Sequence, residues 1–346
     1  MQKFECKVCG AGLKWNPVAG KIACEYCNAE FPVTDFEDHT LRDEVNDNQV
    51  DATYSSEEIT DGMVIYKCEE CNAEVITSDK TMATECAYCG HAITITSKAV
   101  GNFRPECVIP FAITKETAME IFKKYVKSSW LTPKVFSTSP SIEKMQGLFV
   151  PYYLHSMVLD GVSIVEGERT TSHKRGYDKV TDHKVYEVDI EVHADFDNIP
   201  TDASKQLEDG LMDTVEPYDY NNVKDYNPAY LAGFFAEQAD VTKEDTIQRA
   251  KDKAYDGMSD KIRECAGNLS KKSIKSNRIN KSNEKISYTM LPIWLFHVKW
   301  KDTVHHFAIN GQTGKVVGKL PLDKVKLVLS SIGIALGTLL LTAFIS

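Results

Sequence analysis

Several signals that would assign an activity are missing from this chain of 346 residues. It has no G-x-S-x-G nucleophile elbow, no H-E-x-x-H zinc-protease helix and no G-x-G-x-x-G dinucleotide loop. Gly311-Gln312-Thr313-Gly314-Lys315-Val316 imitates a phosphate loop only in part, because two residues instead of four separate its glycines and Val316 stands where a Mg²⁺-binding hydroxyl belongs. The nine histidines are scattered, and His305 and His306, being adjacent, would face opposite sides of a strand. No acid, base and nucleophile come together by spacing, so the chain is not expected to be an enzyme. It has no catalytic residues and no organic cofactor to assign. Positive charge is also short, with 40 Lys and Arg against 50 Asp and Glu, a net of −10. That balance makes nucleic acid a poor partner. Met1-Gln2-Lys3-Phe4-Glu5 opens no apolar signal-peptide core, so a disulfide framework formed on export is not expected.

What the chain does have is cysteine in a pattern. Cys6 and Cys9 are followed after fourteen residues by Cys24 and Cys27, and the spacing recurs at Cys68, Cys71, Cys86 and Cys89. Two residues between cysteines let both sulfurs of a tight turn reach one ion, and two such knuckles complete the tetrahedron that zinc prefers. The second cysteine of each knuckle is followed by Gly10, Asn28, Asn72 or Gly90. Glycine and asparagine are the residue types that tolerate a left-handed backbone. Each set therefore reads as a closed, structural site, and two zinc ions are expected. Another thiophilic metal or an iron–sulfur cluster would use the same ligands. Cys107 and Cys265 are left over and read as buried small side chains.

The expected organisation is a first ribbon over residues 1–34, an acidic linker over 35–61, a second ribbon over 62–100, an α+β domain over 101–322 and an apolar tail over 325–346. Within the α+β domain, Thr114 should cap a helix that buries Ala118, Ile121, Phe122, Tyr125 and Val126. Thr242 with Asp245 should open a second helix with Ile247, Ala250, Ala254, Met258, Ile262 and Cys265 on one face, ending at Gly267. Phe149–Met157 and Met290–Val298 share an apolar pattern, which suggests two similar β-rich halves. The polar Thr170–Asp182 stretch reads as a hairpin tip. Gly267–Lys285, with six Lys and Arg but no aromatics to stack on bases, reads as an exposed loop or edge hairpin. Asn310-Gly311 marks a tight turn between strands.

Leu327 to Ile345 is uncharged over nineteen residues, about 28 Å as a helix, close to the roughly 30 Å hydrocarbon thickness. A single-pass tail anchor in the cell membrane is therefore expected, with the lipid bilayer as a partner. Lys315, Lys319, Lys324 and Lys326 would hold the folded part in the cytoplasm. Gly333 and Gly337 form a GxxxG suited to close helix pairing, hence to a homodimer.

Val215-Glu216-Pro217-Tyr218-Asp219, the Pro228–Phe234 stretch, Leu291-Pro292-Ile293-Trp294-Leu295, the Asn310–Lys315 turn, the paired cysteine sets and the apolar tail together resemble bacterial TFIIB-type zinc-ribbon-containing membrane proteins, the YdjG-like group. The resemblance implies a membrane partner for SPFH-domain and phage-shock-type proteins in envelope stress. It brings no catalytic residues. The expected function is thus a non-enzymatic, membrane-anchored scaffold whose ribbons recruit soluble proteins. The alternative is a membrane-tethered zinc-ribbon regulator that binds nucleic acid. Three lysines facing five acids in residues 62–100 count against the alternative.

Overall fold

The computed structural model describes residues 4–36, 58–60, 63–67, 74–78, 81–85, 92–94, 104–138, 142–205, 207, 209–301 and 303–345. In chain order its strands and helices are β1 (Leu13–Asn16), β2 (Lys21–Cys24), β3 (Glu30–Phe31), β4 (Glu58–Thr60), β5 (Met63–Lys67), β6 (Glu74–Ser78), β7 (Thr81–Glu85), β8 (Ala92–Thr94), β9 (Cys107–Val108), α1 (Lys115–Ser128) and α2 (Val135–Thr138). They continue with β10 (Gln146–Arg175), β11 (Asp178–Asp202), α3 (Asp209–Val215), β12 (Lys224–Asp225), β13 (Phe235–Glu237), α4 (Lys243–Cys265), β14 (Ser270–Trp300), β15 (Thr303–Asn310), β16 (Val316–Val317) and α5 (Lys324–Ile345). The chain divides into two compact units. One comprises Met1–Pro151, Ser204–Gln238 and Met290–Ser346, and the other Tyr152–Ala203 and Ala239–Thr289.

In the first unit, β1, β2 and β3 form an antiparallel meander, and β4, β5 and β6 form a second one. The larger sheet has the order β12-β9-β14-β10-β13-β7-β8, with β15 and β16 added beside β14. β7 pairs with β13 through Ala83 and Ala236, so a strand from the expected second ribbon is also a strand of this sheet. Its core is aromatic. Phe111 stacks on Phe234 with centroids 4.1 Å apart and meets Phe149 and Trp294 at 5.0 and 4.9 Å. Helix α1 starts where its cap predicts, with the Thr114 side chain accepting from Thr117 N, and it buries Ala118, Phe122 and Val126. The chain does turn after Asn310, but more widely than an Asn-Gly pair would make it: Gly314 N donates to the Asn310 carbonyl, and the left-handed residue is Gly314, at φ +77°. Buried Asn310 also donates from Nδ2 to the carbonyls of Val215 and Pro217. The 215–219 segment and the turn, far apart in the sequence, are thus in direct contact.

The second unit is a three-stranded arrangement of β11, β10 and β14 with α4 packed on one face. Met157, Leu159, Val165, Val192 and Ile199 meet Ala250, Ala254, Met258 and Ile262 there. Thr242 caps α4, and Asp245 N donates to its hydroxyl at 3.3 Å. Thr246 is buried in place of the expected Ile247, while Cys265 is exposed and Cys107 half-buried, so neither spare cysteine is a core residue.

Two expectations are corrected. The fold is β-rich where an α+β domain was expected: Thr170–Asp182 is the exposed end of a hairpin, as expected, but its strands are far longer than the sequence suggested, and the stretch read as an exposed loop or edge hairpin is strand, so that β10, β11 and β14 run for 30, 25 and 31 residues. Only the turn at Gly176-Tyr177 separates β10 from β11. Apolar alternation fades there because both faces of the ladder meet water, and cross-strand hydrogen bonds and ion pairs hold it instead.

The second correction concerns the transmembrane tail. Residues 324–345 do form a helix, but among the described residues no helix is long and apolar enough to cross a membrane. Lys324 and Lys326 occupy its first turn, and Lys326 Nζ bonds the Thr132 carbonyl. The single-pass tail anchor, the lipid bilayer as a partner and the cell-membrane location therefore lose their support. A Cβ at Gly333 or Gly337 would meet nothing within 4 Å.

Candidate metal centre

The first ribbon is built from two knuckles. In each, the backbone folds back on the first cysteine: Gly10 N donates to the Cys6 carbonyl at 2.8 Å and Asn28 N to the Cys24 carbonyl at 3.0 Å. Both turns need a left-handed residue and have one, with Gly10 at φ +76° and Asn28 at +57°. Strands β1 and β2 pair Leu13 with Cys24, which brings one knuckle against the other.

The four sulfurs of Cys6, Cys9, Cys24 and Cys27 then lie within 4.8 Å of one another. Cys6 Sγ is 3.5 Å from Cys27 Sγ, and Cys9 Sγ is 3.6 Å from Cys24 Sγ. Metal–sulfur bonds of about 2.3 Å at the tetrahedral angle require sulfur–sulfur edges of about 3.8 Å. The cage therefore has the size that such an ion needs and can hold one. Cys6 and Cys24 are buried, whereas Cys9 and Cys27 are exposed.

The thiols also differ in acidity. Burial raises the Cys6 thiol, but the amides of Cys9 and Val8, with the Cys27 and Cys9 side chains, outweigh it and bring it down to about 7. For Cys24 the Cys27 amide leads in lowering the pKa against burial. At Cys27 the Ala29 amide lowers the pKa, yet the Cys6 thiol, burial and the other two thiols together push it up to about 12. Cys9 is likewise raised on balance: the Ala11 amide favours its thiolate, and the Cys24 thiol opposes. One member of each close sulfur pair is thus favoured as thiolate and the other as thiol, since crowded thiolates repel. A divalent cation at the centre removes that conflict.

The ribbon is not held away from the rest of its unit. Trp15 on β1 is nearly buried: its Nε1 donates to the Phe111 carbonyl at 3.0 Å, its amide donates to the Ala232 carbonyl at 3.0 Å, and its ring meets Tyr230 edge-on at 5.0 Å. Asn227 Nδ2 donates to the Phe36 carbonyl at 3.0 Å. Gly233, at φ +89°, has no room for a Cβ because the Lys14 stem lies 2.9 Å away. The Pro228–Phe234 stretch is thus the dock for the first ribbon. Cysteine spacing gives no sign of this contact; only the tryptophan in so short a strand hinted at it. Cys68, Cys71, Cys86 and Cys89, with Asn72 and Gly90 and most of the expected linker, lie outside the described residues.

The ribbon's charges are paired. Lys7 sits 3.2 Å from Asp35, Lys14 3.6 Å from Glu25 and Lys21 3.2 Å from Glu30. Val8 and Tyr26, one from each knuckle, are 71% and 85% exposed.

No family model matches the chain, and no solved structure does. The uncharacterized protein YdjG of Bacillus subtilis (strain 168) is 30% identical to it over 343 residues, which is 99% of this chain and 97% of that protein.

Proposed function

The chain belongs to the family of YdjG, and from that premise we propose that it is a non-enzymatic scaffold whose zinc-held ribbon binds soluble proteins. The observation that carries this reading is the contrast between the ribbon's two ends. One end is fastened through Trp15, while the two knuckles turn Val8 and Tyr26 to solvent. Apolar side chains on a small, metal-tightened turn are costly to expose, and they offer an anchor for a protein partner. Zinc is the ion of choice because four thiolates close its shell and leave no position for water or substrate. The two-knuckle cage supports a TFIIB-type description of the ribbon. The matching spacing at Cys68, Cys71, Cys86 and Cys89 supports a second ion. Pairing of Lys7, Lys14 and Lys21 with acids leaves phosphate little to bind and weighs against the nucleic-acid reading. SPFH-domain or phage-shock-type proteins are the partners that the resemblance offers.

The test compares soluble proteins retained by the full-length chain with those retained by a Val8→Glu/Tyr26→Glu variant that keeps its metal. Loss of specific partners is expected, and an identical set would reject the ribbon as the recruiting surface.

A further inference from the structure

The second unit holds a feature that the metal centre does not use. Among the described residues β11 pairs with β10 alone, and the 270–285 part of β14 likewise has β10 as its strand neighbour, so both outer strands keep an open edge. Open edges this long are templates for another strand. Their charges are sorted by sign. From Glu187 to Asp197, β11 carries five acids and no Lys or Arg, whereas β14 from Lys271 to Lys285 carries six Lys and Arg against Glu284. Some of this charge is spent within the sheet, where Lys275 reaches both Glu187 and Glu166. Asp189, Glu191 and Asp197 on one edge, and Lys272, Arg278 and Lys285 on the other, have no ion pair among the described residues.

Register adds to the match. Gly161 on β10 sits opposite Val192 on β11, and a Cβ there would run into the Arg278 carbonyl of β14; Gly167 stands against Leu269 and Ser270. β14 therefore runs antiparallel to β10, as β11 does, and the two edges share one direction with Glu191 and Arg278 at nearly the same level. A second copy translated along the sheet presents its basic edge to the acidic edge of the first. Two acidic or two basic edges would repel.

We propose that the second unit is a self-association module in which the β11 edge of one chain pairs, head to tail, with the β14 edge of another copy. The contact is heterologous, so it can extend beyond two chains. Charges that ordinarily keep edges apart here select the unlike edge.

Light scattering on the full-length chain tests this. At an ionic strength of about 10 mM, where the Debye length is about 30 Å, the molar mass should rise to at least twice the single-chain 38.8 kDa, and it should return to that value near 1 M, where the length is about 3 Å. A Lys272→Glu/Arg278→Glu/Lys285→Glu variant has two acidic edges and should stay single. An Asp189→Lys/Glu191→Lys/Asp197→Lys variant has two basic edges and should do the same. Mixing the two should restore association. As a milder set, Glu191→Lys and Arg278→Glu should each weaken association, while the two together in one chain should recover it. A wild type that stays at single-chain mass throughout, association that ignores these reversals, or a mixture that fails to assemble would each overturn the proposal.

Discussion

His155 has no exposed surface and sits among hydroxyls that determine its chemistry. Its Nε2 lies 3.1 Å from Thr201 Oγ1 and 3.0 Å from Thr246 Oγ1. Both hydroxyl hydrogens are committed elsewhere: Thr201 donates to the Tyr153 carbonyl and Thr246 to the Lys243 carbonyl. The threonine oxygens must accept, so Nε2 carries the proton and Nδ1 is left as a bare acceptor. Burial, offset in part by Glu284 and assisted by Lys281 and Lys253, holds the ring down to about 4. In the unfolded chain the same ring titrates near 6.5. Between these values the unfolded state binds more protons, so stability is full above about 6.5 and falls as pH drops toward 4, by about 2–3 kcal/mol in total. Urea midpoints measured across that range should fall with acid, and His155→Gln should flatten the slope; an unchanged slope would place its origin elsewhere.

Among the elements, α1 and α4 were legible because a cap and an apolar stripe are local properties, and Thr114 and Thr242 do what threonine does at a helix start. The long strands were legible only in their apolar parts, Leu148–Val158, Val185–Val192 and Met290–Val298, and not in their full length. Nothing in Thr170–Asp182 or Ser270–Lys285 alternates strongly, and only the neighbouring strand makes them regular. Gly161, at φ +155° with the Arg278 carbonyl against it, marks where β10 and β14 approach too closely for a side chain. Gly161→Ala should cost at least about 1–3 kcal/mol through backbone strain, measured as a lower unfolding midpoint. On β1, Trp15→Ala removes a bonded, nearly buried indole and should cost about 3–5 kcal/mol. It should also open the first ribbon to protease, and a ribbon still resistant would mean that Asn227 and Gly233 suffice to hold it.

For the molecule as a whole, the proposed metal at the Cys6, Cys9, Cys24 and Cys27 cage makes the first ribbon testable. The ribbon has few buried residues of its own, so its fold depends on the cage and on the dock for Trp15. Chelation should expose Trp15 and shift its fluorescence to the red, and Cys24→Ser should lower bound metal by one ion per chain. Full metal content in that variant would remove Cys24 from the ligand set.

The clustering of Cys6, Cys9, Cys24 and Cys27, their two knuckle turns, the two capped helices and a turn after Asn310 follow from the sequence by itself, because each is settled by residues a few places apart whose geometry allows one outcome. Tertiary structure alone decided the rest: that Trp15 anchors the first ribbon on the 228–234 segment, that polar stretches complete strands of up to 31 residues, that Asp189, Glu191 and Arg278 stand on opposite edges of one sheet, and that Lys326 at the start of the apolar tail bonds the Thr132 carbonyl. These are contacts between residues far apart in the chain. Their free energy depends on which surface is presented to which, and local composition carries no record of that.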